Sequence, residues 1–153
     1  MHIQIVEPKD TEALDALMCR VIATSVALGK TEMAEVIANV QQNLRWAQQY
    51  PHAAVHVKCV SDGAIVGVAL IKNFWNLCSL FVEVDFQRQG IGRALLNESI
   101  QRCVSLNDRG HIKVNAALDA VPFYRSLGFA AGDEPHPKGT SLPMLLRLSS
   151  RSD

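Results

Sequence analysis

The residue types with the clearest chemical meaning lie between positions 80 and 96, where an apolar run is followed by a polar turn and an amphipathic segment. This order predicts a strand, a tight turn and the first turn of a helix. Gly90 and Gly92 remove side chains where the backbone can approach a ligand closely. The N–H groups at a helix start lack intrahelical acceptors and attract anions, and Arg88 and Arg93 flank them here. The stretch therefore predicts a cradle for a phosphate or a pyrophosphate.

Two better-known phosphate motifs do not fit this stretch. A dinucleotide-binding fingerprint needs a third small residue, but Leu95 stands there and is too large for close packing of helix on strand. A P-loop needs a lysine directly after its last glycine, and Gly92 is followed by Arg93. On spacing alone, a turn with a purely structural role stays open as an alternative.

The elements that must position this turn can be read from hydrophobic periodicity and breaker residues. Helical spacing dominates the first third of the chain, strand spacing follows Pro51, and both kinds occur after that. The mixture, without strict alternation, predicts an α/β (α+β) domain with a mixed sheet. The predicted strands are 2–7, a hairpin of 55–59 and 64–71, 77–84, 111–116 and 142–148; the predicted helices run from Asp10 or Thr11 to Gly29, from Thr31 to about Leu44, from Gly90 to Leu106 and from Asp119 to Leu127.

Length and composition narrow the class of protein. The chain has 153 residues, of which 48% are hydrophobic, so we expect one folded domain spanning 1–153. Fifteen basic residues balance fifteen acidic ones, which argues against a nucleic-acid partner or an anionic membrane surface. No apolar run approaches the ~20 residues of a membrane span, and the N-terminus lacks the pattern of a secretion signal. These features predict a cytoplasmic protein.

The four cysteines, Cys19, Cys59, Cys78 and Cys103, are scattered without close pairs. This distribution predicts reduced, buried thiols and no metal site.

Two blocks of sequence resemble the GNAT-type N-acetyltransferases. The strand followed by Gln87-x-x-Gly90-x-Gly92 is similar to the family's motif A, and Val121–Phe129 (Val-Pro-Phe-Tyr-Arg-Ser-Leu-Gly-Phe) is similar to its downstream FY-x-x-LGF motif. The two blocks occur in the family's order with a strand between them. The resemblance implies a mostly antiparallel central sheet flanked by helices, with acetyl-CoA bound in a splay between central strands. It also implies acetyl transfer from acetyl-CoA to a primary amine of a small molecule or peptide.

The resemblance assigns roles to individual residues. Tyr124 matches the family's general acid, since a phenol of pKa about 10 keeps its proton at neutral pH. The alternative for Tyr124 is a half-buried packing residue. Main-chain groups of Leu80, Phe81 and Val82 would contact the pantetheine arm and the acetyl group; Gln87, Arg88, Gln89, Gly90, Ile91, Gly92 and Arg93 would surround the pyrophosphate.

The residue that deprotonates the acceptor amine stays unassigned by sequence. Conceivable groups are Glu83, Glu32, Glu35, His52, His136 and, acting through a water molecule, Asn76; the loop that contains His136 could fold over the acceptor entrance. Aromatic residues that could line an acceptor pocket, or equally the core, are Trp46, Tyr50, Phe74 and Trp75.

Several alternatives stay open on sequence alone. The chain could be a catalytically idle CoA-binding module, it could transfer a larger acyl group, or it could form a covalent intermediate on Cys78, which lies close to the predicted thioester strand. The last is disfavoured because a buried thiol without a neighbouring histidine is a poor nucleophile. Homodimers are common in the family, but no segment of this sequence is typical of an interface.

Overall fold

The computed structural model describes residues 1–132 and 139–149, and a seven-stranded sheet is its centre. The strand order is β1-β2-β3-β4-β5-β7-β6, and every neighbouring pair is antiparallel except β4 and β5. The predicted mixed sheet is therefore confirmed. The strands are β1 (His2–Ile5), β2 (Ala54–Ser61), β3 (Ala64–Lys72), β4 (Asn76–Val82), β5 (His111–Ala117), β6 (Ala130–Ala131) and β7 (Ser141–Arg147).

Within the described residues, four α-helices cover the two faces of the sheet. Leu14, Leu17 and Leu44 from the first two helices pack with Val68 on one face, whereas Leu95 and Leu96 pack with alternate residues of the strands on the other. Burial of these apolar stripes holds the helices to the sheet. The helices are α1 (Thr11–Ala23), α2 (Lys30–Gln49), α3 (Ile91–Val104) and α4 (Val121–Ser126).

A close approach of α3 to the sheet depends on Gly67 in β3. A Cβ at Gly67 would stand 2.8 Å from the Leu95 side chain and 3.3 Å from the Ile91 side chain. Any larger residue would force the buried Leu95 side chain to shift, because 2.8 Å is shorter than carbon atoms tolerate. Gly67 therefore allows α3 to pack closely on β3.

The two central strands, β4 and β5, separate along their length. They pair only at Asn76 with Lys113 and at Leu77 with Val114. Cys78 is the extra residue of a β-bulge against β3, because Leu70 pairs with Ser79 while Ile71 pairs with Leu77. A bulge bends its strand and ends regular pairing. From Cys78 onward, β4 has no strand partner on its β5 side within the described residues.

One predicted helix ends early. The pattern predicts that the first helix continues to Gly29, but α1 ends at Ala23. The hydroxyl and the N–H of Thr24 both bond to the Val21 carbonyl, at 2.6 and 3.1 Å, and the Ser25 N–H bonds to Ile22. These i→i−3 bonds tighten the last turn and compete with continued helix. Residues 24–29 form a loop instead, with Val26 fully exposed.

The prediction of four buried thiols is half wrong. Cys59 and Cys103 are buried, but Cys19 and Cys78 are only partly buried, and all four are unpaired. Cys78 is partly exposed because β4 is no longer paired with β5 at this position. Within the described residues, no helix is both long and apolar enough to cross a membrane.

Candidate active site

A cavity of about 740 Å³ opens where β4 and β5 separate. Its wall is formed by β4 and β5, by the segment leading into α4, by the loop after α1 and by the facing side of α2. Leu80, Phe81, Gln87 and Tyr124, four of the predicted site residues, all contribute to the wall. The structure thus brings the strand and the downstream tyrosine together around one space, although they are far apart in sequence.

The separated edge of β4 supplies unpaired backbone groups to this cavity. In a strand pair, N–H and C=O groups on both strands satisfy each other, and an unpaired edge offers them to a ligand. Because of the bulge at Cys78, Leu80 and Val82 pack toward α3, whereas Phe81 packs toward α1 and α2. The side chains of these three residues are thus largely engaged in packing. The backbone of Phe81 pairs with Val68 of β3, so the backbone groups of Leu80 and Val82, which face away from β3, are the part that a ligand can use.

The turn from β4 into α3 has the geometry of an anion site. Gly90 is the N-cap of α3 with φ +84°, and the first intrahelical bond runs from the Ala94 N–H to the Gly90 carbonyl at 3.0 Å. The N–H groups of Ile91, Gly92 and Arg93 therefore precede the first helical hydrogen bond, at the positive end of a 14-residue helix.

Arg88, Gln89 and Arg93 are exposed around this helix end. Arg88 also has a positive φ of 64°, an uncommon conformation for a residue with a side chain. Arg93 donates to the Ser126 hydroxyl at 3.3 Å and so links α3 to α4. Two positive charges and three free N–H groups lie together here, which is an arrangement suited to a diphosphate.

Two of the predicted cradle residues differ in detail from the prediction. The Ile91 side chain is only 2% exposed and packs in the core, so this residue can offer a ligand its backbone alone. The Gln87 side chain donates to the Val82 carbonyl at 2.9 Å. This bond closes the end of β4 onto the turn, and Gln87 thus holds the shape of the cradle in addition to lining the cavity.

Tyr124 lies on α4 with its ring packed between two aromatic neighbours. The Phe123 and Phe129 rings meet it edge-on, at centroid distances of 5.2 and 5.4 Å. Phe129 is buried and Phe123 is partly buried against the core. Gly128, at φ +100°, ends α4 and returns the chain so that the Phe129 N–H bonds to the Tyr124 carbonyl. Burial raises the pKa of the Tyr124 phenol to about 12, which keeps it protonated at any physiological pH.

The conceivable bases do not converge on the cavity. Glu83 accepts two hydrogen bonds from Arg20, and the Glu32 carboxylate accepts the Gly29 N–H at the start of α2. Asn76 belongs to the paired part of β4. Glu35 and His52 are exposed and do not contribute to the cavity wall; His136 lies outside the described residues, as does most of the loop in which it stands.

The aromatic residues considered for an acceptor pocket do not line the cavity either. The ring of Trp46 lies beside Tyr50 and under the Lys72 ammonium, and Trp75 packs against His111 and under the Arg109 guanidinium. Phe74 is in the β3–β4 turn, where Asn107 donates to its carbonyl at 2.8 Å. These contacts stabilise the opposite end of the sheet, where β4 and β5 are still paired.

Polar residues that the sequence did not single out do line the cavity. Asn39 comes from α2, Asn115 from β5 and Asp119 from the turn before α4. Asp119 stands five positions before Tyr124, directly ahead of the proline-containing block. This proximity to the motif is the sequence feature that could have indicated a place in the site. For Asn39 the indication is weaker: it is a polar residue between Val36 and Val40 on the apolar stripe of α2.

Comparison with known proteins identifies the family. The sequence pattern of the acetyltransferase (GNAT) domain matches residues 23–143. The chain belongs to the GNAT acetyltransferase family. An uncharacterised N-acetyltransferase of Escherichia coli K12, YafP, is 22% identical over 130 residues, which are 84% of this chain and 81% of YafP. The predicted family and the predicted class of enzyme, an acetyl-CoA-dependent acyltransferase, are confirmed.

Solved structures share the fold over nearly the whole chain. A GCN5-related N-acetyltransferase from Rhodopseudomonas palustris superimposes with a TM-score of 0.79 at 16% identity, over 96% of this chain and 95% of that one. The PaiA N-acetyltransferase of Thermoplasma acidophilum, solved in complex with coenzyme A, gives a TM-score of 0.77 at 15% identity, over 95% and 98%. At these identities the likeness establishes the fold, including the mostly antiparallel sheet flanked by helices.

Proposed function

We propose that this GNAT acetyltransferase transfers the acetyl group of acetyl-CoA to a primary amine of a small molecule or peptide, by direct attack in a ternary complex. The observation that supports this most strongly is the single cavity bounded by the unpaired edge of β4 and by Tyr124, with the free N-terminus of α3 at the end of the same strand. A ligand with a diphosphate, an extended amide-containing arm and a reactive thioester needs these three features in this order.

Each part of the site would do one task. The N–H groups of Ile91, Gly92 and Arg93, with the charges of Arg88 and Arg93, would hold the diphosphate. The N–H and carbonyl of Leu80 and the N–H of Val82, which face away from β3, would pair with the amide groups of the arm as an added strand does. A free N–H on this edge can also stabilise negative charge on the acetyl oxygen as the carbonyl becomes tetrahedral.

The protons must balance over the reaction. A protonated amine loses one proton to become a nucleophile, its nitrogen forms a bond to the acetyl carbon, and the carbon–sulfur bond breaks. The amide nitrogen releases a second proton, the departing sulfur takes up one, and the overall reaction releases one proton. Tyr124 is the group of the cavity wall that we assign as hydrogen-bond donor to that sulfur.

The raised pKa of Tyr124 defines how it would act. A thiol has a pKa of about 8.5. Complete transfer from a phenol of pKa about 12 to a thiolate is therefore uphill by about 5 kcal/mol. Tyr124 would stabilise the departing sulfur mainly by donating a hydrogen bond, and a proton released by the nitrogen would restore the phenol if it is lost.

A covalent intermediate on Cys78 is disfavoured by the surroundings of the thiol. Burial raises the pKa of Cys78, and its Sγ donates to the Asn76 carbonyl at 3.4 Å. The thiolate is the nucleophilic form, so a raised pKa lowers its reactivity. Cys78 thus contributes to the site through the bulge that it forms.

The test is Tyr124→Phe, with Tyr50→Phe as its control because Tyr50 is an exposed tyrosine outside the cavity wall. Release of CoA in the presence of a panel of amines is measured together with the calorimetric affinity for CoA. We expect Tyr124→Phe to lower turnover about 10²–10⁴-fold with little change in CoA affinity, and Tyr50→Phe to change neither. Unchanged turnover would remove Tyr124 from this role. Tight CoA binding without turnover on any amine would instead favour a catalytically idle module.

A further inference from the structure

The part of the cavity wall that lies outside β4 exposes large apolar side chains. It is built by the loop after α1, by α2 and by the turn between β5 and α4. Val26 and Leu118 contribute exposed apolar side chains to it; Val26 is fully exposed and Leu118 is 47% exposed. Large apolar groups exposed at the mouth of a cavity favour a ligand with an apolar body, because its binding removes their surface from water.

The charge of this wall comes from a single side chain. Among the described residues that form the cavity, Asp119 is the only carboxylate, and none of them is Lys, Arg or His. Asp119 is exposed, and within the described part of the chain it has neither an ion-pair partner nor a side-chain hydrogen bond. Its charge is therefore available to a ligand.

Asp119 lies close to the residue to which we assign a role in the reaction. It precedes α4, the helix that carries Tyr124, and both residues face the same cavity. A primary amine is cationic at neutral pH before it reacts. A cation entering this space meets one negative charge and no positive charge on the described wall, so it is attracted to the part of the cavity that contains Tyr124.

We infer that Asp119 selects cationic acceptors and that the acceptor is an amphipathic amine, with one ammonium group near Asp119 and an apolar body against Val26 and Leu118. This inference rests on the proposed function and names the acceptor class for the same site. Asp119 is here a substrate-binding residue and is not assigned a proton-transfer step.

The experiment compares two acceptors of similar size that differ in charge. Phenethylamine is cationic at neutral pH, whereas benzhydrazide is uncharged. Initial rates with acetyl-CoA are measured for the unchanged protein and for Asp119→Asn. We expect KM for phenethylamine to rise about 5-fold in Asp119→Asn, with kcat changed much less and with KM for benzhydrazide unchanged. Added salt should raise KM for phenethylamine in the unchanged protein and have little effect on it in the variant.

Two further variants separate this role from a structural one. Asp108→Asn makes the same change of charge in the loop between α3 and β5, outside the cavity wall, and should leave both KM values unchanged. Asp119→Lys should reverse the preference, so that phenylalanine, an amine that carries a carboxylate, becomes a better acceptor than phenethylamine. Leu118→Ser should raise KM for both aromatic acceptors.

The outcomes distinguish the two proposals. If acetyl transfer occurs but Asp119→Asn alters the two acceptors equally, or alters neither, the inference is wrong and the proposed function stands. If no acceptor is turned over by the unchanged protein, the proposed function fails and the inference fails with it.

Discussion

Arg20 donates two hydrogen bonds to Glu83, one to each carboxylate oxygen. They come from Nε at 3.2 Å and from Nη2 at 2.8 Å. Arg20 lies in the last turn of α1, and Glu83 directly follows β4, so the pair connects α1 to the end of β4. A bidentate pair fixes orientation as well as distance. Glu83, which the sequence alone left among the candidate bases, is thus engaged in an ion pair between α1 and the end of β4.

The first prediction follows from that pair. Glu83→Gln removes the negative charge but keeps a carbonyl that accepts a hydrogen bond, so we expect turnover to fall less than about 3-fold. A general base in the same place would make turnover fall about 10²–10⁴-fold and would remove one limb of the pH–rate profile. Steady-state rates over a range of pH, for the unchanged protein and for Glu83→Gln, decide between the two roles. Glu98→Gln, which breaks an exposed pair on α3, serves as the control.

The second prediction separates the two glycines of the cradle. Gly90 has φ +84° and open space where a Cβ would stand, so Gly90→Ala should lower the free energy of unfolding by about 1–2 kcal/mol through backbone strain. At Gly92 a Cβ would lie 3.6 Å from the Phe123 ring and 3.7 Å from Val82, which are ordinary contacts. Gly92→Ala should therefore leave stability unchanged or slightly increased.

The binding of CoA should respond in the opposite way at Gly92. A methyl group there occupies space beside the free N–H groups of α3, and we expect CoA affinity to fall about tenfold, or 1.4 kcal/mol. Urea unfolding and calorimetric titration with CoA measure the two quantities on the same samples. Full CoA affinity in Gly92→Ala would indicate that the diphosphate does not approach this residue.

The third prediction concerns pH and His56, a residue of β2 whose imidazole is largely buried. Burial lowers the pKa of His56 from 6.5 to about 4, and the nearby Asp10 carboxylate opposes this only in part. Between pH 6.5 and pH 4 the unfolded chain binds a proton that the folded protein does not, so stability falls as the pH falls through this window. The loss is at most about 3 kcal/mol.

The variant that tests this is His56→Gln, which keeps polarity without a titrating group. Its free energy of unfolding should vary less with pH across the same window than that of the unchanged protein. His52→Gln replaces an exposed histidine and should leave the dependence intact. An unaltered pH dependence in His56→Gln would assign the effect to other groups. Asp10 has its pKa lowered from 3.8, and stability from that group is lost only at still lower pH.

The sequence predicted the fold well where local signals agreed with tertiary packing. The hairpin around Asp62 and Gly63, the strand before the cradle and the long helix after it occur within one or two residues of their predicted ends. Each has a strict period and a glycine or a polar turn at its boundary. Gly90 stands at the start of α3, just after β4, and Tyr124 reaches the cavity wall from α4, which follows β5.

Except for the end of α1, what the sequence missed depends on contacts between distant segments. The early end of α1 at Ala23 is set by short-range bonds of Thr24 and Ser25, and the apolar pattern up to Leu28 hid it. The bulge at Cys78 can be recognised only once β3 is paired with β4. The pairing of Glu83 with Arg20 spans 63 residues and leaves no local signal. Asp119 lines the cavity together with the end of β5, which the sequence alone did not place beside β4.

The last prediction concerns the pair of Lys58 and Asp10. The Lys58 ammonium lies 2.7 Å from an Asp10 oxygen, with side chains only 6% and 8% exposed. The same oxygen accepts the Glu7 N–H at 2.7 Å, so Asp10 joins the segment before α1 to β2. Breaking a buried pair leaves one uncompensated charge, and Lys58→Met should therefore lower the free energy of unfolding by about 3–5 kcal/mol.

A double-mutant cycle measures how much of that loss comes from the stranded charge. In Lys58→Met combined with Asp10→Asn, the amide oxygen can still accept the Glu7 N–H and no charge is buried, so the combined loss should be smaller than the sum of the single losses. Arg102→Met, at the exposed pair with Glu98, should cost no more than about 0.5 kcal/mol. Because the Lys58–Asp10 pair lies outside the cavity wall, kcat at a temperature where every variant is folded should not change. Additive losses in the cycle would mean that the two residues stabilise the fold independently of each other.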